Sequence, residues 1–305
     1  MSKLKIILVN LIIFLVAFFS IDYIVYKQQY KIYDTNIGYS QNLTKKIAVS
    51  DEYDKSYIEE RIQFRPALNE NNTEKRSIVL TGCSFVYGQY LNENEILSYK
   101  ISQLVENPIY NLGVISKAIN TTIALLQYGT FEKEVKIEPS VVIYTYADFH
   151  MLRLIMPNMP FEDNEFMFKI NDNKLERKRP PFVISRFISL SVLRNKLYEF
   201  TKRHSKIYRE YLKKLLKLHF LEMKKLLDSK YSNVKFIVVI YYPCQIFEEI
   251  ASELEKENIE IIRLTKEEFG INVKDRNYLL PDGHPNALAW EIITPKLVEK
   301  IKPYL

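Results

Sequence analysis

The sequence predicts an α/β fold: a flavodoxin-like, three-layer α/β/α arrangement around a central parallel sheet, preceded by an N-terminal transmembrane helix. Three observations predict it. Apolar runs at 77–82, 109–112, 141–145, 235–241 and 259–264 read as strands. Helical patterns at 94–106, 116–130, 203–229, 245–257 and 286–302 alternate with them. Such alternation builds a parallel sheet with helices on both faces. A separate apolar run, Ile6 to Tyr26, is long enough to cross a bilayer at about 1.5 Å per residue.

Taken in chain order, residues 1–27 read as a membrane anchor. Lys3 and Lys5 precede the apolar run, Asn10 and Asp22 are its only strongly polar members, and Tyr23 and Tyr26 sit where an interfacial aromatic belt would lie. A cleaved signal peptide is the competing reading. It would have a shorter apolar region and a small-x-small site, which Ala17-Phe18-Phe19-Ser20 fits poorly. Positive charge before the span predicts a single-pass protein with its catalytic domain extracytoplasmic or periplasmic, although Lys27 and Lys31 after it pull the other way.

Residues 28–75 are polar and tyrosine-rich, and read as a stalk and lead-in segment that lays a strand or two against the domain. Residues 76–305 hold the strand and helix alternation and are the expected catalytic domain. Within it, about 150–202 is too long for a routine connection. An insertion leaving the carboxyl edge of a strand reads either as a cap over the cleft or as peripheral decoration. In 203–229, Ile207, Tyr211, Leu215, Leu218 and Met223 form the stripe expected to face the core.

Composition narrows the function classes. With 47% hydrophobic and 26% charged residues, seven glycines and no internal period, the chain is neither collagen-like nor a repeat array. Cys83 and Cys244 make neither a disulfide framework nor a metal signature. The net charge of +6 gathers its basic residues between Lys174 and Lys225, as a solvated face or as an attractor of anionic lipid or acidic glycan. No aromatic-interleaved basic motif predicts a nucleic-acid partner.

The chemistry concentrates in two places. Residues 77–88, Ser-Ile-Val-Leu-Thr-Gly-Cys-Ser-Phe-Val-Tyr-Gly, end an apolar run in a small-residue turn that presents Ser84. A strand ending there, followed by a helix, puts the hydroxyl at the carboxyl edge of the sheet, where open α/β folds build their sites. A serine hydroxyl needs a base. Leu280-Pro281-Asp282-Gly283-His284-Pro285-Asn286-Ala287 offers one, with a carboxylate two residues from an imidazole. In an extended segment the two side chains point to the same side, so Asp282 would orient His284 as a triad acid orients its base.

These blocks resemble the SGNH/GDSL hydrolase family over roughly residues 76–303. Gly82-Cys83-Ser84-Phe85-Val86-Tyr87-Gly88 stands where that family has Gly-Asp-Ser-x-x-x-Gly, Asn111-Leu112-Gly113 matches its strand-end glycine block, and Asp282-Gly283-His284-Pro285-Asn286 matches its late block. The resemblance implies Ser84 as nucleophile, His284 as base, Asp282 as orienting acid, the amides of Ser84 and Gly113 as oxyanion donors, and no cofactor. Three departures matter. Asp282 and His284 are separated by one residue, where that family more often has two. Cys83 replaces an acidic residue outside the triad, and Ala147 stands where the family has a donor asparagine. Losing one such donor costs about 2.7–4 kcal/mol of transition-state stabilisation.

The third block, Tyr144 to His150, is similar to that of a divergent, often membrane-anchored subset with Asp-x-His after the strand. Asp148, His150 and Arg153 are therefore candidate substrate contacts. His150 either touches substrate, joins Asp148 on a metal, or caps the next element. A metal wants at least three ligands, and none is predicted. His204 and His219 read as surface or packed residues. The expected function is a serine esterase removing acyl, most simply acetyl, groups from cell-envelope carbohydrate. An O-acyltransferase on envelope polysaccharide and a non-catalytic, glycan-binding SGNH-like domain are the alternatives, the latter supported by Ala147. The expected partners are an acylated carbohydrate, the membrane and polysaccharide-assembly proteins.

Overall fold

Each of the five apolar runs of the domain forms a strand in the computed structural model of the chain, which describes residues 62–155, 167–178, 205–242 and 244–305. The strands are β1 (Ser77–Gly82), β2 (Ile109–Gly113), β3 (Pro139–Tyr146), β4 (Met167–Asn171), β5 (Lys174–Lys178), β6 (Lys235–Ile240) and β7 (Glu260–Arg263). The helices are α1 (Ser84–Tyr87), α2 (Leu97–Ser102), α3 (Ile119–Gln127), α4 (Thr130–Glu134), α5 (Phe149–Ile155), α6 (Lys206–Lys230), α7 (Gln245–Lys256), α8 (Lys266–Phe269) and α9 (Ala287–Ile301).

Five strands pair in parallel in the order β2-β1-β3-β6-β7. Their side chains alternate between two apolar layers, as the pleat requires. Val79, Val142, Tyr144 and Val238 pack with α3, α6 and α7, whereas Ile78, Leu80, Ile143 and Val239 pack with α2 and α9. This is the expected three-layer α/β/α arrangement. β1 lies between β2 and β3, so the chain leaves β1 to one side and later returns on the other. At such a reversal the carboxyl ends of the two central strands open a crevice. Ser84 follows β1 at that edge, and Ala147 follows β3.

The structure corrects the stripe on α6. Leu212, Leu215, Leu216, His219, Phe220, Met223 and Leu227 are buried, while Ile207 is 86% exposed, Tyr211 is exposed and Leu218 is only half-buried. The core face includes a histidine because the i−4 carbonyl satisfies it: His219 Nδ1 is 2.7 Å from the Leu215 oxygen. Burial pulls its pKa down to about 4, so it packs as a neutral ring, with its ring against that of Phe168. On the flank of α6, Arg209 and Lys213 pair with Glu249, and Lys217 pairs with Glu253, both glutamates on α7. Part of the basic stretch is thus matched within the domain.

The pattern over 116–130 resolves into α3 and α4, divided at Gly129, whose φ of 78° does not continue a helix. The insertion contributes the antiparallel hairpin β4–β5, turned through Asp172 and Asn173 at φ 46° and 61°. Two central residues at positive φ make the tight turn favoured in hairpins. Phe168 of this hairpin is buried against α6. The remainder of the proposed cap, 156–166 and 179–204, lies outside the described residues, as do the anchor and the stalk up to residue 61. Among the described residues no helix is long and apolar enough to cross a membrane. The end of the lead-in segment reaches the sheet edge at a single antiparallel bridge, Leu68 to Ile109. Cys83 and Cys244 are buried, and neither forms a disulfide among the described residues.

Candidate active site

The turn that carries Ser84 is built by backbone hydrogen bonds around Cys83. Its carbonyl accepts from Val86 and Tyr87, and its thiol accepts from the Phe85 N–H at 3.5 Å. The Ser84 amide, at the start of α1, has no i−4 carbonyl to take it. The far end of the turn is held by Arg65, which donates to the carbonyls of Tyr87 and Gly88 at 3.0 Å each and lies 4.5 Å over the Tyr87 ring. Ser84 itself is only 4% exposed.

His284 arrives on the loop before α9. Leu280 donates to the His284 carbonyl at 2.7 Å, and Gly283 donates back to Leu280 at 2.9 Å. Gly283 takes φ 90°, a conformation that side-chain-bearing residues rarely adopt. The segment is therefore a tight turn, not the extended stretch expected. Asp282 and His284 still share a side, because Asp282 Oδ1 accepts the His284 backbone N–H at 3.1 Å. The other oxygen, Oδ2, lies 2.7 Å from His284 Nδ1, at ion-pair distance though off the line of an aligned hydrogen bond. His284 Nε2 lies 2.8 Å from Ser84 Oγ. With Nδ1–H turned to a carboxylate, Nε2 is the acceptor for the serine proton.

Electrostatics suit that role. Burial draws the His284 pKa below the usual imidazole range, the Asp282 carboxylate opposes the shift, and the Arg153 charge adds to it. The resting ring is neutral near pH 7 and free to accept a proton. Phe85 and Tyr90 meet it edge-on, with centroids 5.2 and 5.7 Å away. In front of the pair lies an open cavity of about 350 Å³, walled by Phe85, Phe149, Tyr242 and Arg153.

Among the remaining sequence candidates, Arg153 lines this cavity, and Asp148 and His150 do not. His150 is fully buried, shares a 2.8 Å hydrogen bond with the Tyr144 hydroxyl, and is ringed by Tyr144, Tyr146 and Phe149. Burial holds its pKa well below the ordinary value. It is a neutral core residue and is not placed to touch substrate. Asp148 is half-buried at the start of α5, where its carbonyl accepts from Met151. Among the described residues no three His, Cys, Asp or Glu side chains gather into a metal-binding group.

Gly113 is also corrected. Its amide donates to Asn111 Oδ1 at 3.0 Å and is already taken. The residue is glycine for space: a Cβ there would come within 2.5 Å of the Tyr87 nitrogen. Asn111 latches β2 to the nucleophile turn, donating to the Val86 carbonyl at 2.8 Å and to Ser98 Oγ at 3.1 Å. Ala147 is fully buried among apolar neighbours.

Several site residues escaped sequence reasoning. Tyr90 packs edge-on against the His284 ring, 48% exposed, with φ 68°. A tyrosine held at positive φ is the kind of backbone strain that gathers at functional sites. Tyr242 donates to the Gly283 carbonyl at 3.2 Å and steadies the loop of the base. Only its position just past a strand could have pointed to it.

No family model matches the chain, and no curated protein matches it. Solved structures do. The chain is similar to a member of the lipolytic protein G-D-S-L family from Veillonella parvula DSM 2008, at 11% identity, with 75% of this chain and 99% of that one covered and a TM-score of 0.44. It is also similar to an acetyl xylan esterase, Est2A, from the rumen bacterium Butyrivibrio proteoclasticus, at 10% identity, with 75% and 64% covered and a TM-score of 0.42.

Proposed function

We propose that the chain is an SGNH/GDSL-type serine esterase that removes acyl groups through a covalent intermediate on Ser84. One observation carries this reading: the relay in which Ser84 Oγ lies 2.8 Å from His284 Nε2, and His284 Nδ1 lies 2.7 Å from Asp282 Oδ2. In the first step Ser84 attacks an ester carbonyl while Nε2 takes its proton. The imidazolium, held by Asp282, then protonates the departing alkoxide. Water, activated by the same ring, releases the acyl group. A sugar hydroxyl in place of water would make the same intermediate an acyl donor for transfer.

The acyl group is small and the alcohol is a carbohydrate. The cavity of about 350 Å³ is open and walled by Phe85, Phe149 and Tyr242. Aromatic rings offer a sugar ring apolar surface, and a volume of about 350 Å³ limits the acyl chain. A serine-directed fluorophosphonate is expected to label the wild type and leave Ser84→Ala unlabelled. Equal labelling of both would sink the assignment.

The envelope location of the carbohydrate rests on the apolar segment 6–26, with lysines before it. The full-length chain is expected to stay in the membrane fraction after a carbonate wash. Release into the supernatant would remove the ground for an envelope substrate and leave the esterase reading standing.

A further inference from the structure

The oxyanion side of the cleft lacks two expected donors. Ala147 has no polar side chain, and the Gly113 amide is committed to Asn111. The Ser84 amide alone would face the developing charge. Yet the same cleft contains a cation. Arg153 lines it beside Ser84 and His284, and it is fixed from two directions. One guanidinium N–H, on Nη1, donates to the Lys117 carbonyl at 2.8 Å, and the guanidinium carbon lies 4.5 Å over the Phe149 ring. Lys117 follows Ser116, where the chain leaving β2 turns through φ 64°, and Phe149 opens the helix that follows β3. The side chain therefore bridges the ends of the two strands that flank β1. It also lies against the thiol of Cys83, the residue just before the nucleophile.

A guanidinium has five N–H donors in a planar fork. Lys117 takes one, and the Cys83 thiol lies beside the group. A half-buried cation that lines the cleft beside Ser84 with donors to spare can meet negative charge as it develops there.

We propose that Arg153 is a catalytic residue, its guanidinium donating to the oxyanion in place of the side-chain amide missing at Ala147. The proposal rests on the acyl-transfer reading above. As the Ser84 Oγ–carbon bond forms, the carbonyl π pair moves onto oxygen and the serine proton moves to His284 Nε2. On collapse that pair returns, the bond to the leaving alcohol breaks, and the alcohol takes the proton from Nε2. Arg153 stays protonated throughout and supplies only hydrogen bonds and charge. Its charge also helps to keep the resting His284 neutral, second to burial, and the oxyanion offsets that repulsion when the imidazolium forms.

The test uses a neutral ester, 4-nitrophenyl acetate, and the rate of fluorophosphonate labelling, whose attack on phosphorus builds negative charge on the same side. Arg153→Met is expected to lower kcat and the labelling rate about 10²–10³-fold, the cost of one oxyanion donor, with KM changed by less than threefold. The acidic limb of its kcat/KM profile is expected to move to higher pH, because a charge that depresses His284 is gone. Arg153→Gln, nearer in shape, carries the same test if the methionine variant does not fold. Wild-type kcat on the neutral ester, with affinity lost only for an ester bearing a carboxylate, would overturn the proposal: Arg153 would then read a charge on the substrate. A wild type that the fluorophosphonate does not label would overturn the nucleophile reading itself, and that result is distinct from a labelled enzyme indifferent to Arg153.

Discussion

Ser84→Ala and His284→Ala are each expected to lower kcat by about a millionfold, the scale on which a serine–histidine unit fails. The Ser84 Oγ to His284 Nε2 distance of 2.8 Å makes the two one device. Without the base the hydroxyl keeps its proton, and without the hydroxyl the base has nothing to activate. The double variant is therefore expected to lose little beyond either single one, since effects within such a unit do not add. Steady-state kinetics on an acetyl ester, with thermal melting to show that both variants fold, check this. Additive losses would mean that the two side chains act separately, and near-wild-type turnover in Ser84→Ala would remove the nucleophile.

Much of this was legible in the sequence because burial on both faces of a strand leaves a plain record. Ile78-Val79-Leu80 and Val141-Val142-Ile143 are continuous apolar runs because alternate residues serve two different helical layers. Ser84 and His284, 200 positions apart, were paired because each follows or precedes a regular element at the carboxyl edge, where topology brings such residues together. What stayed hidden depends on local partners. Gly113 looks like an oxyanion donor until Asn111 Oδ1 is seen to accept its amide. Asp-x-His after β3 looks like a polar site until the chain turns into α5 and drives His150 into the core beside Tyr144. The α6 stripe was misplaced by taking Leu218 for the core and leaving out His219, a polar ring that pays for burial with the Leu215 carbonyl. Arg65 sits in a segment without periodicity, and no pattern shows that its guanidinium clamps the nucleophile turn.

Asp282→Asn is expected to lower kcat by about 10⁴-fold with little change in folding, which is about 5.5 kcal/mol of barrier. The asymmetry follows from the two jobs of this carboxylate. Oδ1 accepts the backbone N–H of His284 and shapes the turn, while Oδ2 faces Nδ1. Asparagine keeps an oxygen for the first job, so the loop holds. For the second it presents an amide N–H₂ to Nδ1, which favours the tautomer with the proton on Nε2, and that nitrogen can then no longer accept from Ser84. The carboxylate also raises the His284 pKa against burial. Its removal lowers that pKa further, so the acidic limb of kcat/KM moves to lower pH while the plateau falls. Asp282→Ala loses the turn as well and is expected to melt at a lower temperature than Asp282→Asn. Turnover of Asp282→Asn within tenfold of wild type, with the limb unmoved, would show that another group orients the imidazole.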